Sequence, residues 1–166
     1  MSKKNTISGQ SELAGQCTCG ALQYQLTRDP LFVHCCHCSW CQKETGSAFA
    51  VNVLIETSSI EVTSGELVED PRDSASGLGQ VLWNCKQCGT TMWSHYASAK
   101  ERVSFIRAGT LNQPGLAPPD IHIFTSTKSA WVLLPDDVPA MADFYRRSEY
   151  WPLESQNCYK AALSSG

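Results

Sequence analysis

The chain has 166 residues, 42% of them hydrophobic and 17% charged, with a formal net charge of −3 at pH 7. This composition is typical of one globular domain and excludes a disordered chain. The only basic cluster near the N-terminus is Lys3-Lys4, which excludes a nucleic-acid-binding arm, and no apolar run approaches the roughly 18 residues of a membrane span. Residues 1–10 are polar and lack the apolar stretch of a signal peptide, so we expect a cytoplasmic protein without nucleic-acid or membrane partners.

The predicted elements are mostly strands. Ala21–Leu26 alternates between apolar and polar residues, which places Leu22, Tyr24 and Leu26 on one face of a strand. Seven further strands are predicted at Phe49–Ile55, Ile60–Thr63, Gln80–Asn84, Thr91–His95, Val103–Ala108, Ile121–Thr125 and Ala130–Leu134.

Loops and helices account for the remainder. Glu69–Gly79 and Gln113–Asp120 are polar and contain proline, so both are predicted as loops. Helix is predicted only for a turn or two after Cys41 and for Pro139–Arg147, and we expect the tail after Trp151 to be loosely held. No linker divides the chain, so we expect an N-terminal tail at 1–12, one domain at 13–147 and a C-terminal tail at 148–166.

Nine cysteines are an unusually large number for a chain of this length. In a reducing cytoplasm such a number indicates metal binding more than disulfide bonds, and an odd number fits a disulfide framework poorly. The cysteines fall into three groups and one isolated residue: Cys17 and Cys19; Cys35, Cys36, Cys38 and Cys41; Cys85 and Cys88; and Cys158.

The first and third groups have the spacing of two halves of one zinc site. Cys85 and Cys88 form a C-x-x-C followed by glycine, as in a zinc knuckle, and Cys17 and Cys19 form a C-x-C whose side chains share one face. Tetrahedral zinc needs four ligands, so the two pairs together could complete a closed site. Such a site would join distant strands and contribute directly to the free energy of folding.

The middle group predicts a different kind of site. Cys36, Cys38 and Cys41 offer three thiolates within six residues, whereas Cys35 should point to the opposite face of a strand. Three protein ligands and one vacant position are typical of a catalytic zinc. Buried thiols, a redox pair, and an iron–sulfur cluster on the C-x-x-C-x-x-C run of Cys35, Cys38 and Cys41 stay open as alternatives.

The remaining candidate ligands are expected to be structural. His34, His95 and His122 lie in strand-like surroundings and are interpreted as satisfied core or surface residues. His37 alternates away from Cys36 and Cys38, so it is not counted as a ligand, and Cys158 is interpreted as an ordinary thiol.

The combined pattern resembles the glutathione-dependent formaldehyde-activating enzyme and centromere protein V family over about residues 13–145. The resemblance rests on the following segments: Gly15-x-Cys17-x-Cys19-Gly20, Cys36-His37-Cys38-x-x-Cys41, Gly46-Ser47, Cys85-x-x-Cys88-Gly89, His122-Ile123-Phe124, Lys128-x-x-Trp131 and Asp137-x-Pro139.

The resemblance implies a mainly β fold with little helix, a β-tent of twisted antiparallel sheets held by a structural zinc. It implies two zinc ions per chain, a structural one on Cys17, Cys19, Cys85 and Cys88 and a catalytic one on Cys36, Cys38 and Cys41. The implied reaction condenses glutathione with formaldehyde to S-(hydroxymethyl)glutathione and is classed as a carbon–sulfur lyase activity.

Two features depart from the family pattern. Gln42 and Lys43 follow the last cysteine of the middle group, where family members often carry arginine, and Cys35 is not a position of the pattern. No sequence signature for glutathione is present, and its carboxylates could meet any of four cations: Lys43, Arg72, Arg107 or Lys128.

Three functions compete at this point. The first is an enzyme acting on a small thiol adduct, the second a non-catalytic zinc-stabilised interaction module, and the third a zinc or redox buffer. The sequence leaves the oligomeric state open, a homo-oligomer included.

Overall fold

The computed structural model describes residues 13–164, and most of its regular structure is β-strand. The strands are Ala14–Gln16 (β1), Gln23–Leu26 (β2), Phe32–Cys36 (β3), Ala50–Glu56 (β4), Ile60–Ser64 (β5), Leu67–Arg72 (β6), Gln80–Cys85 (β7), Thr91–Tyr96 (β8), Val103–Arg107 (β9) and Ile121–Ile123 (β10). The α-helices are Ser39–Thr45 (α1), Arg147–Tyr150 (α2) and Leu153–Ser164 (α3). Short 3-10 turns lie at Thr57–Ser59, Lys100–Arg102, Ala108–Thr110, Pro114–Leu116 and Thr125–Thr127.

The strands form two sheets. The smaller sheet has the order β1-β2-β5, and the larger has the order β10-β3-β4-β9-β8-β7-β6. Neighbouring strands are antiparallel except for β10 and β3, which pair in parallel. The predicted mainly β fold with little helix is confirmed, and none of the helices within residues 13–164 has the length and apolarity needed to cross a membrane.

The core lies on both faces of the larger sheet. On one face, Leu22, which precedes β2, and Tyr24 and Leu26 of β2 pack against residues of β4, β8 and β9, as their predicted shared orientation requires. On the other face, Trp151 and Tyr159 from the C-terminal segment pack against β3 and β4. Side chains that alternate along β3 therefore enter two different clusters.

The strand predicted at Ala130–Leu134 is wrong. The backbone N–H of Val132 donates to Ser129 O in a turn, and Val132 O accepts a hydrogen bond of 2.6 Å from Lys128 Nζ instead of pairing in a sheet. Only Val132 of this segment is buried, so its apolar run does not form a strand face.

The helix predicted at Pro139–Arg147 is also wrong. The chain instead runs beside β10, where His122 N donates to Pro139 O at 2.8 Å and Met141 N donates to His122 O at 2.9 Å. Because these backbone groups bond to an edge strand, they are not available for helical hydrogen bonds.

The loop predicted at Glu69–Gly79 begins too early, since its first four residues belong to β6. Pro71 lies in that strand without breaking the sheet because β6 is an edge strand, where a missing N–H donor is tolerated. Residues 73–79 carry no strand or helix, as predicted.

The expectation of a loosely held tail after Trp151 is wrong for the residues described there. Leu153–Ser164 is a helix, and Tyr159 packs its ring against the indole of Trp151 with centroids 5.4 Å apart. The N-terminal tail at 1–12 lies outside the described residues, and the division at residue 147 stays a prediction.

Candidate metal centres

The first cysteine set joins the two sheets. Cys17 and Cys19 lie in the turn between β1 and β2, and Cys85 and Cys88 lie at the turn between β7 and β8. Both turns close with a backbone hydrogen bond, from Gly20 N to Cys17 O at 3.0 Å and from Gly89 N to Cys85 O at 2.9 Å. The two glycines have φ of +75° and +72°, the left-handed conformation that glycine adopts without strain.

The four sulfurs of this set fit a tetrahedral metal. All of them lie within 4.8 Å of one another, with Cys17 Sγ 3.4 Å from Cys19 Sγ and Cys19 Sγ 4.0 Å from Cys85 Sγ. Thiolates bound tetrahedrally at 2.3 Å from zinc would be separated by about 3.8 Å. The set could therefore hold a metal ion.

The second set lies where β3 passes into α1. Cys36 is the last residue of β3, Cys38 caps the N-terminus of α1, and Cys41 is in the helix. Cys38 Sγ accepts a hydrogen bond of 3.3 Å from Cys41 N, so the turn directs all three sulfurs to one region. Cys36 and Cys41 are buried and Cys38 is half-buried. Within residues 13–164, no further histidine, cysteine or carboxylate side chain joins them.

The proximity of these sulfurs controls their protonation. The sulfurs of Cys38 and Cys41, with burial, raise the pKa of the Cys36 thiol. The pKa of Cys38 falls to about 2, because its thiolate accepts hydrogen bonds from Cys36 and Cys41 and from backbone N–H groups. These shifts favour a thiolate on Cys38 while Cys36 keeps its proton, and a bound cation would favour ionisation of all three sulfurs.

Arg107 and Tyr96 lie near this set. A hydrogen bond with Cys36 acts to lower the pKa of Cys41, but Cys38 and burial outweigh it and raise that pKa to about 12, against a smaller opposing effect of the Arg107 charge. Arg107 Nη1 donates to Asn52 Oδ1 at 2.5 Å. Burial, and then the negative charge of Cys41, raise the pKa of Tyr96. The phenol of Tyr96 therefore keeps its proton well above neutral pH.

The other three basic residues considered for the carboxylates of glutathione have partners or lie on the surface. Arg72 forms an ion pair with Asp70 at 2.7 Å, and Lys128 Nζ donates to the carbonyls of Ser129 and Val132. Lys43 is exposed in the last turn of α1. Of the four, Arg107 is the cation whose charge acts on the second cysteine set.

Gln42, which departs from the family pattern, connects the elements that surround the three-cysteine set. Gln42 Nε2 donates to His37 O at 2.7 Å and to Thr127 O at 3.0 Å. The side chain thus ties α1 to the end of β3 and to the turn after β10.

A third group was not anticipated from the sequence. Cys35, His37 and His122 are buried together, with their ligand atoms within 4.8 Å of one another. Side chains alternate along β3, so Cys35 and His37 share the face opposite to Cys36 and Cys38. This alternation is the one sequence pattern that could have predicted the group. Cys35 does not join Cys38 and Cys41, so the iron–sulfur run is not assembled as a group.

The other histidines and Cys158 lie outside these groups. His34 Nε2 is 2.5 Å from Tyr145 Oη, and His95 bonds to Trp83 and Ser104, as expected of satisfied core residues. Cys158 is a half-buried free thiol on α3.

A family model identifies the chain's relatives. The model described as glutathione-dependent formaldehyde-activating enzyme matches residues 12–127, which include all three cysteine groups. The chain belongs to this family. The match ends before the turn at Ser129 and before α2 and α3.

Individual relatives are distant. A Talaromyces marneffei protein provisionally named as a glutathione-dependent formaldehyde-activating enzyme is 28% identical over 113 residues, 67% of this chain and 59% of that protein. An Emericella nidulans protein with the same provisional name is 31% identical over 77 residues, 46% of this chain and 38% of that protein. The chain therefore spans less than two thirds of the length of these curated relatives. The crystal structure of a Rhodobacter sphaeroides protein is similar with a TM-score of 0.46 and 18% identity, covering 76% of this chain and 98% of that one.

Proposed function

We propose that the protein is a zinc-dependent enzyme of the carbon–sulfur lyase class that acts on a small thiol adduct. By family resemblance, its reaction is the condensation of glutathione with formaldehyde to S-(hydroxymethyl)glutathione. The observation that carries the proposal is the set of Cys36, Cys38 and Cys41, which offers three sulfurs and no fourth ligand within residues 13–164. A donor set of three is typical of a catalytic zinc, whereas a structural zinc has four ligands.

The donor chemistry supports two zinc ions at the two cysteine sets, one at each. Cys17, Cys19, Cys85 and Cys88 would hold the structural ion, and Cys36, Cys38 and Cys41 would hold the catalytic one. When bound at the three-cysteine set, zinc would supply a position at which a thiol is deprotonated. Nine free cysteines fit a reducing compartment, which supports a cytoplasmic location.

The chain's own residues would orient the two substrates. Arg107 carries the positive charge that a carboxylate of glutathione requires, and Asn52 fixes its guanidinium. Burial raises the pKa of the Tyr96 phenol and keeps it protonated, so its O–H would donate a hydrogen bond to the aldehyde oxygen. As the thiol sulfur forms its bond to the aldehyde carbon, the proton given up by the thiol passes to the carbonyl oxygen, which becomes a hydroxyl. Holding both substrates in this geometry lowers the entropic part of the barrier.

The test is the rate of thiol-dependent formaldehyde consumption with and without the zinc-loaded protein. Thiols add to formaldehyde unaided, so only acceleration above the uncatalysed rate supports the proposal. We expect Cys38→Ser to lose that acceleration and one zinc per chain while remaining folded. Cys158→Ser is the matched control, since Cys158 lies outside all three groups, and should match the wild type.

Two outcomes would contradict the enzyme. One is the absence of acceleration by protein that holds both zinc ions. The other is Cys36, Cys38 and Cys41 all reacting with an alkylating reagent in protein that retains only one zinc.

The second candidate is a non-catalytic interaction module. It is favoured by large apolar side chains that are exposed beside the turn at Ser129, with Trp131 74% and Leu133 90% exposed. If the protein is only an interaction module, neither the wild type nor Trp131→Ala will raise thiol-dependent formaldehyde consumption above the background rate. Acceleration by the wild type excludes the module as the sole function.

A further inference from the structure

The strand β3 presents thiols on both of its faces, and only one of them belongs to the three-cysteine set. Cys36 points towards Cys38 and Cys41, whereas Cys35 points to the other side. His37 follows Cys35 by two residues and faces the same way. The parallel pairing of β10 with β3 makes His122 the direct partner of Cys35, so its side chain projects from the same face.

These three side chains converge without solvent. Cys35 is 2% exposed, His37 0% and His122 7%. Cys35 Sγ lies 3.5 Å from His37 Nε2, and His37 Nε2 lies 3.0 Å from His122 Nδ1. A tetrahedral zinc with ordinary bond lengths would separate a thiolate sulfur from an imidazole nitrogen by about 3.5 Å, and two such nitrogens by about 3.3 Å. Both observed separations are hydrogen-bond distances, equal to the metal-bound value for the first pair and a few tenths of an ångström below it for the second, so a small adjustment would admit one shared ion.

Hydrogen bonds and packing from neighbouring elements hold His37 in place. His37 N donates to Ile123 O at 2.9 Å, and His37 O accepts from Gln42 and from Thr127. The ring of His37 packs on Phe49 with centroids 5.4 Å apart. The position of the His37 ring is therefore set by β10, α1 and the packing around it, before any ion binds.

We propose that Cys35, His37 and His122 form a third metal site, distinct from both cysteine sites. The ligands are Cys35 Sγ, His37 Nε2 and His122 Nδ1. One thiolate and two imidazoles favour a borderline divalent ion such as zinc and disfavour calcium and magnesium, which prefer oxygen ligands. On binding, Cys35 releases its thiol proton to solvent and both imidazoles bind as neutral rings.

The consequence for the fold is local. An ion held by β3 and β10 would fasten the edge strand β10 to the larger sheet, and the segment at 139–143 pairs on the outer side of β10. The site lies on the face of β3 opposite to the three-cysteine set, so each can be removed without touching the ligands of the other. This inference does not rest on the proposed reaction.

The experiment measures metal stoichiometry in the full chain. Metal-free protein is titrated with Co²⁺, whose thiolate charge-transfer absorption reports each ion bound, and zinc content is measured after reloading and gel filtration. We expect three ions in the wild type, two in Cys35→Ala and two in His122→Gln. Cys158→Ala, the matched control, should bind three. The double variant Cys35→Ala with Cys38→Ser should bind one.

The result that overturns the site is two ions in the wild type, or three in both Cys35→Ala and His122→Gln. Should either variant fail to fold, X-ray absorption at the zinc edge of the fully loaded wild type decides the question. Our site requires imidazole scattering, because the other two sets supply sulfur ligands only. The absence of imidazole scattering at full loading would exclude it.

Discussion

At the scale of single residues, His95 shows how burial fixes the state of a titratable group. It lies on β8, where Trp83 Nε1 donates to its Nδ1 at 3.0 Å and its Nε2 lies 2.8 Å from Ser104 Oγ. Because the indole can only donate, Nδ1 is the acceptor and Nε2 carries the proton. The ring is neutral in the folded protein, and burial lowers its pKa below the ordinary value of 6.5.

The lowered pKa predicts acid sensitivity. Since the folded pKa lies below 6.5, the unfolded chain binds more protons than the folded chain as the pH falls below that value. The free energy of unfolding should therefore be highest above about pH 6.5 and fall as the pH decreases through it. His95→Gln should be less stable overall but lose less stability between about pH 7.5 and about pH 5.5.

Urea unfolding of both proteins at the two pH values measures this difference. The other three histidines are the same in wild type and variant, so their contributions largely cancel in the comparison. An equal loss of stability in both proteins would contradict the prediction.

Gly15 on β1 is required for close packing. An added Cβ would lie 2.6 Å from Thr110 O and would collide with the phenol of Tyr24, which hydrogen-bonds to Thr110 at 2.8 Å. We expect Gly15→Ala to lower the free energy of unfolding by about 1–3 kcal/mol through overpacking.

Gly109 provides the matched control for this prediction. A Cβ at Gly109 would meet no atom within 4 Å, and its φ is not in the positive region. Thermal or urea unfolding should show Gly109→Ala close to the wild type. Equal stability of the two alanine variants would mean that the Tyr24 ring relaxes at no cost.

At the scale of elements, α3 is the clearest example of structure hidden from sequence patterns. Only Ser155 and Tyr159 of this helix are buried, so no continuous apolar stripe marks it. Its attachment depends on Tyr159, whose ring packs against Trp151 and lies 4.3 Å from the Arg147 guanidinium.

This attachment predicts unequal effects of two substitutions in α3. Tyr159→Ala should cost about 3–5 kcal/mol in the free energy of unfolding, as for other buried aromatic side chains. Leu153→Ala, in the first turn of the same helix, should cost under about 0.5 kcal/mol because Leu153 is 71% exposed. Urea denaturation followed by tryptophan fluorescence measures both. Similar losses in the two variants would mean that α3 is not held through Tyr159.

β2 was predictable from its strict alternation, because Tyr24 and Leu26 are buried and the residues that alternate with them are exposed. The failures share one physical cause, which is pairing that depends on distant residues. Pro139–Arg147 has the composition of a helix start but bonds to β10, and Pro71 fits a strand only because β6 has no outer neighbour. The cysteine groups followed from spacing, whereas Cys35 and His122 meet through the parallel pairing of β3 and β10, which no local pattern encodes.

At the scale of the whole molecule, the four-cysteine set connects the smaller sheet to the larger one. Cys19 and Cys85 are 66 residues apart in the chain, and their sulfurs are 4.0 Å apart. A cross-link that closes a loop of this length stabilises a protein by about 4 kcal/mol, through the entropy it removes from the unfolded chain. A metal at this set would act in the same way.

Removal of this set should therefore affect the fold more than removal of the three-cysteine set. We expect Cys88→Ser to lose one zinc and to become poorly soluble, whereas Cys38→Ser loses one zinc and stays folded. Metal analysis with circular dichroism distinguishes them, and Cys158→Ser controls for the loss of a thiol. If Cys38→Ser unfolds as completely as Cys88→Ser, both sets are structural.

Adjacent cysteines on opposite faces of β3 also bear on how the larger sheet aligns its strands. A slip of β3 by one residue against β4 and β10 would turn Cys35 towards Cys38 and Cys41 and turn Cys36 towards His122. Sulfur would still be present on each face, but His37 would leave its partners and neither donor set would be complete. Metal binding would thus select one alignment out of several that hydrophobic burial alone separates weakly, because every residue of β3 is buried. The Cys35-Cys36 pair would therefore disfavour folding intermediates in which β3 is out of register.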